Sequence, residues 1–186
     1  MAENKNNTEY IQLGSGDLYS LEFTGNVHEN DEEIEKKENL LGWISGGATL
    51  EYKPSFYTAK DDFGHVQKTI ITGEEATLKS GIITFNANTL SKLSATARVT
   101  ETETKRTLKI GGTANNNGKS YLLRFHHKDP VDGDVRVTIV GKNEAGFSLA
   151  YVKDKETVVD AEFKAQPMDS EGTLIQYDEE IKTVDD

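Results

Sequence analysis

The stretch Val159-Asp160-Ala161-Glu162-Phe163-Lys164-Ala165 alternates apolar and charged side chains without a break. A helix would scatter its apolar residues around the axis. A strand puts Val159, Ala161, Phe163 and Ala165 on one face and the three charges on the other. The same period recurs elsewhere. Ala48, Leu50 and Tyr52 oppose Thr49, Glu51 and Lys53, and Val135, Val137 and Ile139 alternate with Arg136 and Thr138. Further β-favouring runs lie at 67–72, 76–85, 106–110, 121–127, 147–152 and 174–177. Residues 9–23 read as two short extended segments broken by Gly14-Ser15-Gly16.

Helical spacing is predicted twice. Residues 30–41 begin with Asn30 as a cap and carry Asp31, Glu32 and Glu33 where a helix dipole favours anions. Residues 88–97 place Leu90, Leu93 and Ala97 on one face, with Asn86 or Asn88 as the cap. Pro54 is expected to end central-strand pairing. Residues 55–65 then read as a long projecting loop with a turn at Asp62-Phe63-Gly64. Gly73-Glu74-Glu75 reads as a turn between strands.

The fold class that follows is mainly β: an antiparallel sandwich or half-open barrel with one or two short helices. The organisation expected is a flexible arm at 1–8, one β domain at 9–177 and an acidic tail at 178–186.

Composition narrows the function classes. A hydrophobic content of 35% is enough to argue against wholesale disorder. The absence of cysteine removes disulfides, thiolate metal sites and cysteine nucleophiles together. No stretch approaches the roughly 18 apolar residues of a membrane helix. The polar N-terminus carries no apolar signal core, so export by a signal peptide is not expected. A net charge of −11 repels nucleic acid and anionic membranes. It serves solubility, or it keeps a surface from sticking to a polyanion.

Chemical motifs fail on spacing. Gly118-Lys119-Ser120 imitates the end of a phosphate-binding loop, but that loop requires a glycine where Thr113 stands, and Gly112 is one position early. The flanks read as strands rather than strand and helix, so Asn115-Asn116-Asn117-Gly118 is expected at the tip of a β-hairpin. His126 and His127 are adjacent on a strand and point to opposite faces, an arrangement unsuited to one metal ion, with one or both rings expected in solvent. His28 and His65 fall in predicted loops. The acidic runs at 61–62, 74–75 and 178–180 lack calcium-loop spacing, and residues 129–134 read as a turn. No nucleophile elbow is present. The residues point to no catalytic, cofactor or metal site, and so to a protein that is not an enzyme.

Several longer phrases, taken in order, carry a resemblance. GSGDLYSLEFTG (14–25), GGATLEYKPSFYTAKDDFG (46–64), KTIITGEEATLKSGIITFNANTL (68–90), RVTIVGKNEAGFSLAYVKDKETVVDAEFKA (136–165) and DSEGTLIQYDEEI (169–181) together resemble tail tube (major tail) proteins of long-tailed bacteriophages and related prophages. The resemblance spans nearly the whole chain and rests on order and phrasing rather than on one motif.

It implies a β-sandwich or half-barrel whose copies form hexameric rings that stack into a tube. Strands of all the subunits line the lumen, which holds the tape measure protein before double-stranded DNA passes without specific binding. Tail terminator and tail-tip or baseplate proteins are the other implied partners. The implied location is the virion tail, assembled in the bacterial cytoplasm, with no membrane binding by this chain. On this reading an acidic lumen lets DNA slide, and Asp160 and Glu162 are the lumen candidates. Phe56, Tyr57, Lys60, Asp61, Asp62 and Phe63 become the candidate contacts between subunits or rings, because uncovered aromatics are costly on a lone monomer. The alternative is a soluble β-sandwich interaction module of a virion or baseplate that forms no tube.

Overall fold

The protein is described by a computed structural model covering residues 11–27 and 30–182. The arm at 1–8, His28 and the end of the acidic tail lie outside the described residues.

The structure is mainly β and antiparallel. Its strands are β1 (Asp17–Glu22), β2 (Leu40–Gly42), β3 (Ile44–Lys60), β4 (Gln67–Ile82), β5 (Arg98–Glu101), β6 (Arg106–Lys109), β7 (Tyr121–His127), β8 (Val135–Asn143), β9 (Val159–Gln166) and β10 (Gln176–Glu179). The helices are α1 (Asp31–Ile34) and α2 (Ala87–Lys92). The main sheet runs β2-β1-β7-β8-β9-β4-β3, with β10 also paired to β8, while β5 and β6 form a separate ribbon.

One continuous segment serves both ends of that order. β2 pairs with β1, and after a single residue, Trp43, the chain continues as β3 on β4. The sheet therefore curls back on itself into a half-open barrel. Gly42 is the corner: a Cβ there would sit 2.3 Å from the Thr84 carbonyl oxygen and 2.6 Å from Ile82 Cγ2. Trp43 then fastens the corner, its N–H donating to Thr84 Oγ1 at 2.7 Å and its carbonyl accepting from Ile83 N–H at 2.9 Å.

The two faces bury two cores, as a period of two requires. Inside the barrel, Leu18, Leu41, Leu78, Leu123, Ile139, Val159, Ala161 and Phe163 pack together, closed by Leu90 and Leu93 from α2 and the residue after it. On the other face, Tyr19, Leu122 and Val140 pack with Ile34 and Met168. The stretch 159–165 thus puts its apolar side where the sequence placed it. Asn86 caps α2 as expected, its side chain accepting from Asn88 and Thr89 N–H.

Several expectations change. The helix expected over 30–41 is one turn of α-helix and a short 3-10 turn at Lys37–Asn39. Its apolar residues decide this: Leu41 enters the inner core while Leu40 packs on the outer one, a period of two that a strand satisfies. The helix over 88–97 ends at Lys92. The loop expected over 55–65 is strand as far as Lys60, then a tight turn. Thr58, Thr69, Ile70 and Thr72 favour extended backbone on both sides of the turn. Pro54 sits within β3, opposite Glu74, on a strand whose second edge pairs with nothing among the described residues, where a missing N–H breaks no ladder.

Gly73-Glu74-Glu75 is paired strand, not a turn, and a bulge lies just before it: Ser55 faces Gly73 and Phe56 faces Ile71, leaving Thr72 over. Residues 147–152 form no regular strand, although Phe147 and Leu149 pack on the core. Asn115-Asn116-Asn117-Gly118 caps no hairpin, because β6 and β7 belong to different sheets. The stretch crosses between them through a 3-10 turn at Thr113–Asn115 and two side-chain turns, Asn116 Oδ1 accepting from Gly118 N–H and Asn117 Oδ1 from Lys119 N–H. β10 reaches Glu179, so the domain extends past the expected boundary at 177.

Candidate subunit interface and a buried charge cluster

The β3–β4 hairpin outgrows its sheet. β9 supports β4 only from Thr77 onward. Ala76 is still buried, and from Gly73 outward the two strands project with residues 55–72 exposed, for about 20 Å at ~3.3 Å per residue. The turn is built by Asp61, whose carboxylate accepts from Val66 N–H at 2.7 Å while its N–H donates to the Val66 carbonyl at 3.1 Å. Gly64 takes the left-handed conformation that the turn needs, with φ of +73°.

The bulge sets which side chains share a face. Phe56 and Ile71 stand opposite each other on one side, and Tyr57 and Ile70 on the other. All four are exposed, as are Phe63 and Val66 at the tip. Phe63 stacks on His65, with ring centroids 5.9 Å apart, and remains 83% exposed. A two-stranded ribbon is marginal in water alone. This one carries apolar pairs on both faces and an open edge on β3. Its own domain therefore covers neither face.

Phe56, Tyr57, Lys60, Asp61, Asp62 and Phe63 are thus brought together on one exposed arm, as strand end and turn rather than loop. Ile70, Ile71 and Val66 belong to the same surface. Their signal was present in the β-favouring run 67–72, whose register against 55–60 was hidden by the bulge.

Asp160 and Glu162 lie on the charged face of β9, away from the barrel interior. Glu162 is paired with Lys79 at 3.2 Å, and Lys164 alongside pairs with Glu75 at 3.1 Å. Acids and lysines interleave there, with Glu51 and Lys53 on β3 continuing the pattern at 2.7 Å. Among the described residues Asp160 has no ion-pair partner.

Sequence reasoning missed a second feature. Arg124 on β7 is 2% exposed. Its guanidinium donates to Thr138 Oγ1 at 2.6 Å and to Asp31 at 2.5 Å, and lies 3.5 Å from Glu35. Arg136 on β8 donates to Glu35 at 2.7 Å. One or both of His126 and His127 were expected in solvent, but both are buried. His126 Nε2 lies 2.7 Å from Asp134, and its Nδ1 is 2.9 Å from Glu35 but outside hydrogen-bonding geometry. His127 Nδ1 lies 2.8 Å from the Ser15 carbonyl.

Glu35, one residue past α1, thereby straps the helical turn onto the sheet. Burial raises the Asp134 carboxyl's pKa, but the His126 hydrogen bond, the Asp129 N–H and nearby Arg136 together outweigh it, leaving the group below its ordinary range. The available clue was parity: Arg124 sits two residues from Leu122 and from His126, on a face that is buried.

The strap lies beside a broad cleft lined by Asp31, Arg124, Arg136, Asp178 and Glu179. Both arginines are engaged by carboxylates of this chain. Among the described residues, no group of three or more metal-ligating side chains is placed to hold an ion, and no helix is long and apolar enough to cross a membrane.

No protein-family model matches the chain, and no curated protein sequence matches it significantly.

Proposed function

We propose that this chain is a structural tube-forming protein of the tail tube kind, in which copies close into hexameric rings that stack around a lumen. The observation that carries the reading is the β3–β4 arm, with apolar pairs on both faces and no cover from its own domain. Such an arm gains its stability from other copies, through its faces or its open edge. An antiparallel half-open barrel also suits the resemblance in residues 14–181.

On this reading the subunit contacts include Phe56, Tyr57, Lys60, Asp61, Asp62 and Phe63, extended by Ile70 and Ile71. The lumen holds the tape measure protein and then passes double-stranded DNA. Terminator and tip proteins close the ends, and the protein resides in the virion tail. The net charge of −11 supports passage without sticking, since a basic bore would hold phosphates by counterion release. Of the two lumen candidates, Glu162 is paired with Lys79, while Asp160 has no ion-pair partner among the described residues.

Negative-stain microscopy of the purified protein across a concentration series tests the proposal. Rings or tubes are the expected result. A protein that stays monomeric at every concentration, alone and with tail-tip components, would refute it. Deleting residues 60–64 should leave a folded monomer that does not polymerise.

A further inference from the structure

The crossing from β6 to β7 contains the chain's one Asn-Gly step, Asn117-Gly118. Asparagine is thermolabile, and most so before glycine. The glycine main-chain nitrogen can attack the carboxamide carbon, and no Cβ shields that nitrogen. How fast the step reacts depends on how the fold holds the nitrogen, the carboxamide oxygen and the backbone between them.

The backbone and the oxygen are set for reaction. Residues 111–119 are exposed, and residues 116–119 belong to no strand or helix, so water reaches the step and no ladder restrains it. Gly118 has φ of +65°, and a Cβ built there would meet nothing within 4 Å, so its backbone has room to turn. Asn117 Oδ1 accepts from Lys119 N–H at 2.9 Å. The ring closed by that bond contains all the ring atoms of a succinimide: Gly118 N and the main-chain carbon, Cα, Cβ and Cγ of Asn117. It also puts a donor on the oxygen that becomes negative when the nitrogen attacks, the arrangement of an oxyanion hole.

The nitrogen is held back. Gly118 N–H donates to Asn116 Oδ1 at 3.0 Å. A hydrogen bond to the neutral amide disfavours the deprotonated form that attacks. The neighbouring steps are poorer still. Asn115 and Asn116 are each followed by a residue with a Cβ. The chain's one Asp-Gly step, Asp132-Gly133, is packed: a Cβ on Gly133 would lie 2.4 Å from the Glu180 carbonyl oxygen.

We propose that Asn117 modifies itself, making the β6–β7 crossing a slow chemical clock. Gly118 N gives its proton to water or hydroxide, and its lone pair forms a bond to Asn117 Cγ. The carbonyl electron pair moves to Oδ1, under the Lys119 N–H, and returns as Nδ2 takes a proton from water and leaves as ammonia. Water then opens the succinimide. Breaking the bond from Gly118 N to Cγ gives aspartate, and breaking the bond from that nitrogen to the Asn117 main-chain carbon gives isoaspartate. The sum is one water in and one ammonia out, with no redox change.

Both products add a negative charge to a chain already at −11. Isoaspartate also lengthens the main chain by a methylene between two anchors. These are the Asn117 N–H on the Ala95 carbonyl and the Phe23 N–H on the Ser120 carbonyl, each at 2.8 Å. The change therefore loosens the entry to β7 rather than the β3–β4 arm, and the proposal does not depend on the tube reading.

The test is incubation of the full-length protein at neutral pH and physiological temperature, sampled over weeks. The tryptic peptide 110–119 holds Asn115, Asn116 and Asn117. Mass spectrometry with fragmentation locates the amide-to-acid exchange, and enzymatic methylation of isoaspartate reports the second product. Asn117 should convert at least about tenfold faster than Asn115 and Asn116, and Gly118→Ala should slow it by about as much. Asn116→Ala should speed conversion at least about threefold by freeing the nitrogen, while Asn116→Asp, which keeps the acceptor, should not. Melting curves of the variants confirm that the fold is retained. Conversion of Asn117 no faster than its neighbours, or indifferent to Gly118→Ala, overturns the proposal. Equal rates in Asn116→Ala and Asn116→Asp overturn the role given to Asn116.

Discussion

Replacing Phe56 and Ile71 together with serine separates contact between copies from the folding of one copy. The two side chains face each other across the arm and are 60% and 56% exposed. Fully burying a phenylalanine or isoleucine contributes ~1.5–3 kcal/mol. A partner covering their exposed share therefore gains about 3 kcal/mol from this pair, roughly a hundredfold in the association constant of each contact. In a closed ring that factor acts at every interface.

Within the monomer the same residues touch little, so the folded chain should lose at most ~1 kcal/mol, from poorer strand propensity. That corresponds to a fall of no more than about 4 °C in melting temperature for a domain this size. Sedimentation velocity and negative stain read assembly, and circular dichroism melting reads the fold. The expected result is a monomer that melts nearly like the wild type and does not assemble. Assembly at wild-type concentrations would refute the reasoning. So would a fall of 10 °C or more, because it would mean that these side chains already serve their own domain.

Glu35→Gln should destabilise the protein by about 3 kcal/mol in urea unfolding, because buried Arg124 and half-buried Arg136 lose a shared carboxylate; a change under about 1 kcal/mol would mean that the strap contributes little. Asp134 has a folded pKa below its unfolded value, so it contributes stability above the unfolded pKa of about 4, and that contribution is lost as pH falls through the lower folded value. Asp134→Asn should thus be less stable than the wild type near neutrality and converge with it in acid, as followed by thermal melts from pH 7 to pH 2; a constant gap would contradict the linkage. Gly42→Ala should cost at least ~2 kcal/mol, since its Cβ would stand 2.3 Å from a backbone oxygen at the barrel corner; a neutral effect in urea unfolding would show that the corner yields.

Reading the sequence succeeded where short-range pattern and β-favouring composition agree. Residues 159–165 alternate because the barrel buries one side of them, while 121–127 and 135–139 are buried on both faces and were marked by β-favouring residues; all three stand where they were expected. It failed where a segment's partner decides. Residues 30–41 carry an N-terminal cap and acids that suit a helix, but pairing Leu40 and Leu41 with β1 gains more than extending a polar helix. The arm was taken for a loop because its apolar residues fall on both faces, so no single-face pattern marks it. The His126 and Arg124 cluster was hidden by distance in sequence: Arg124 and Asp31 are 93 residues apart.

By itself, then, the sequence determined the strand period, the cap of α2, the acidity and the failure of Gly118-Lys119-Ser120 as a phosphate loop. These follow from neighbours within a few residues, where backbone geometry and spacing act directly. Only the tertiary structure decided that residues 40–60 close the barrel, that residues 55–72 form a two-faced arm and that Arg124 and His126 are buried against Glu35 and Asp134. Each of those depends on register between distant strands, and a single bulge or corner glycine resets register without leaving a periodic trace in the chain.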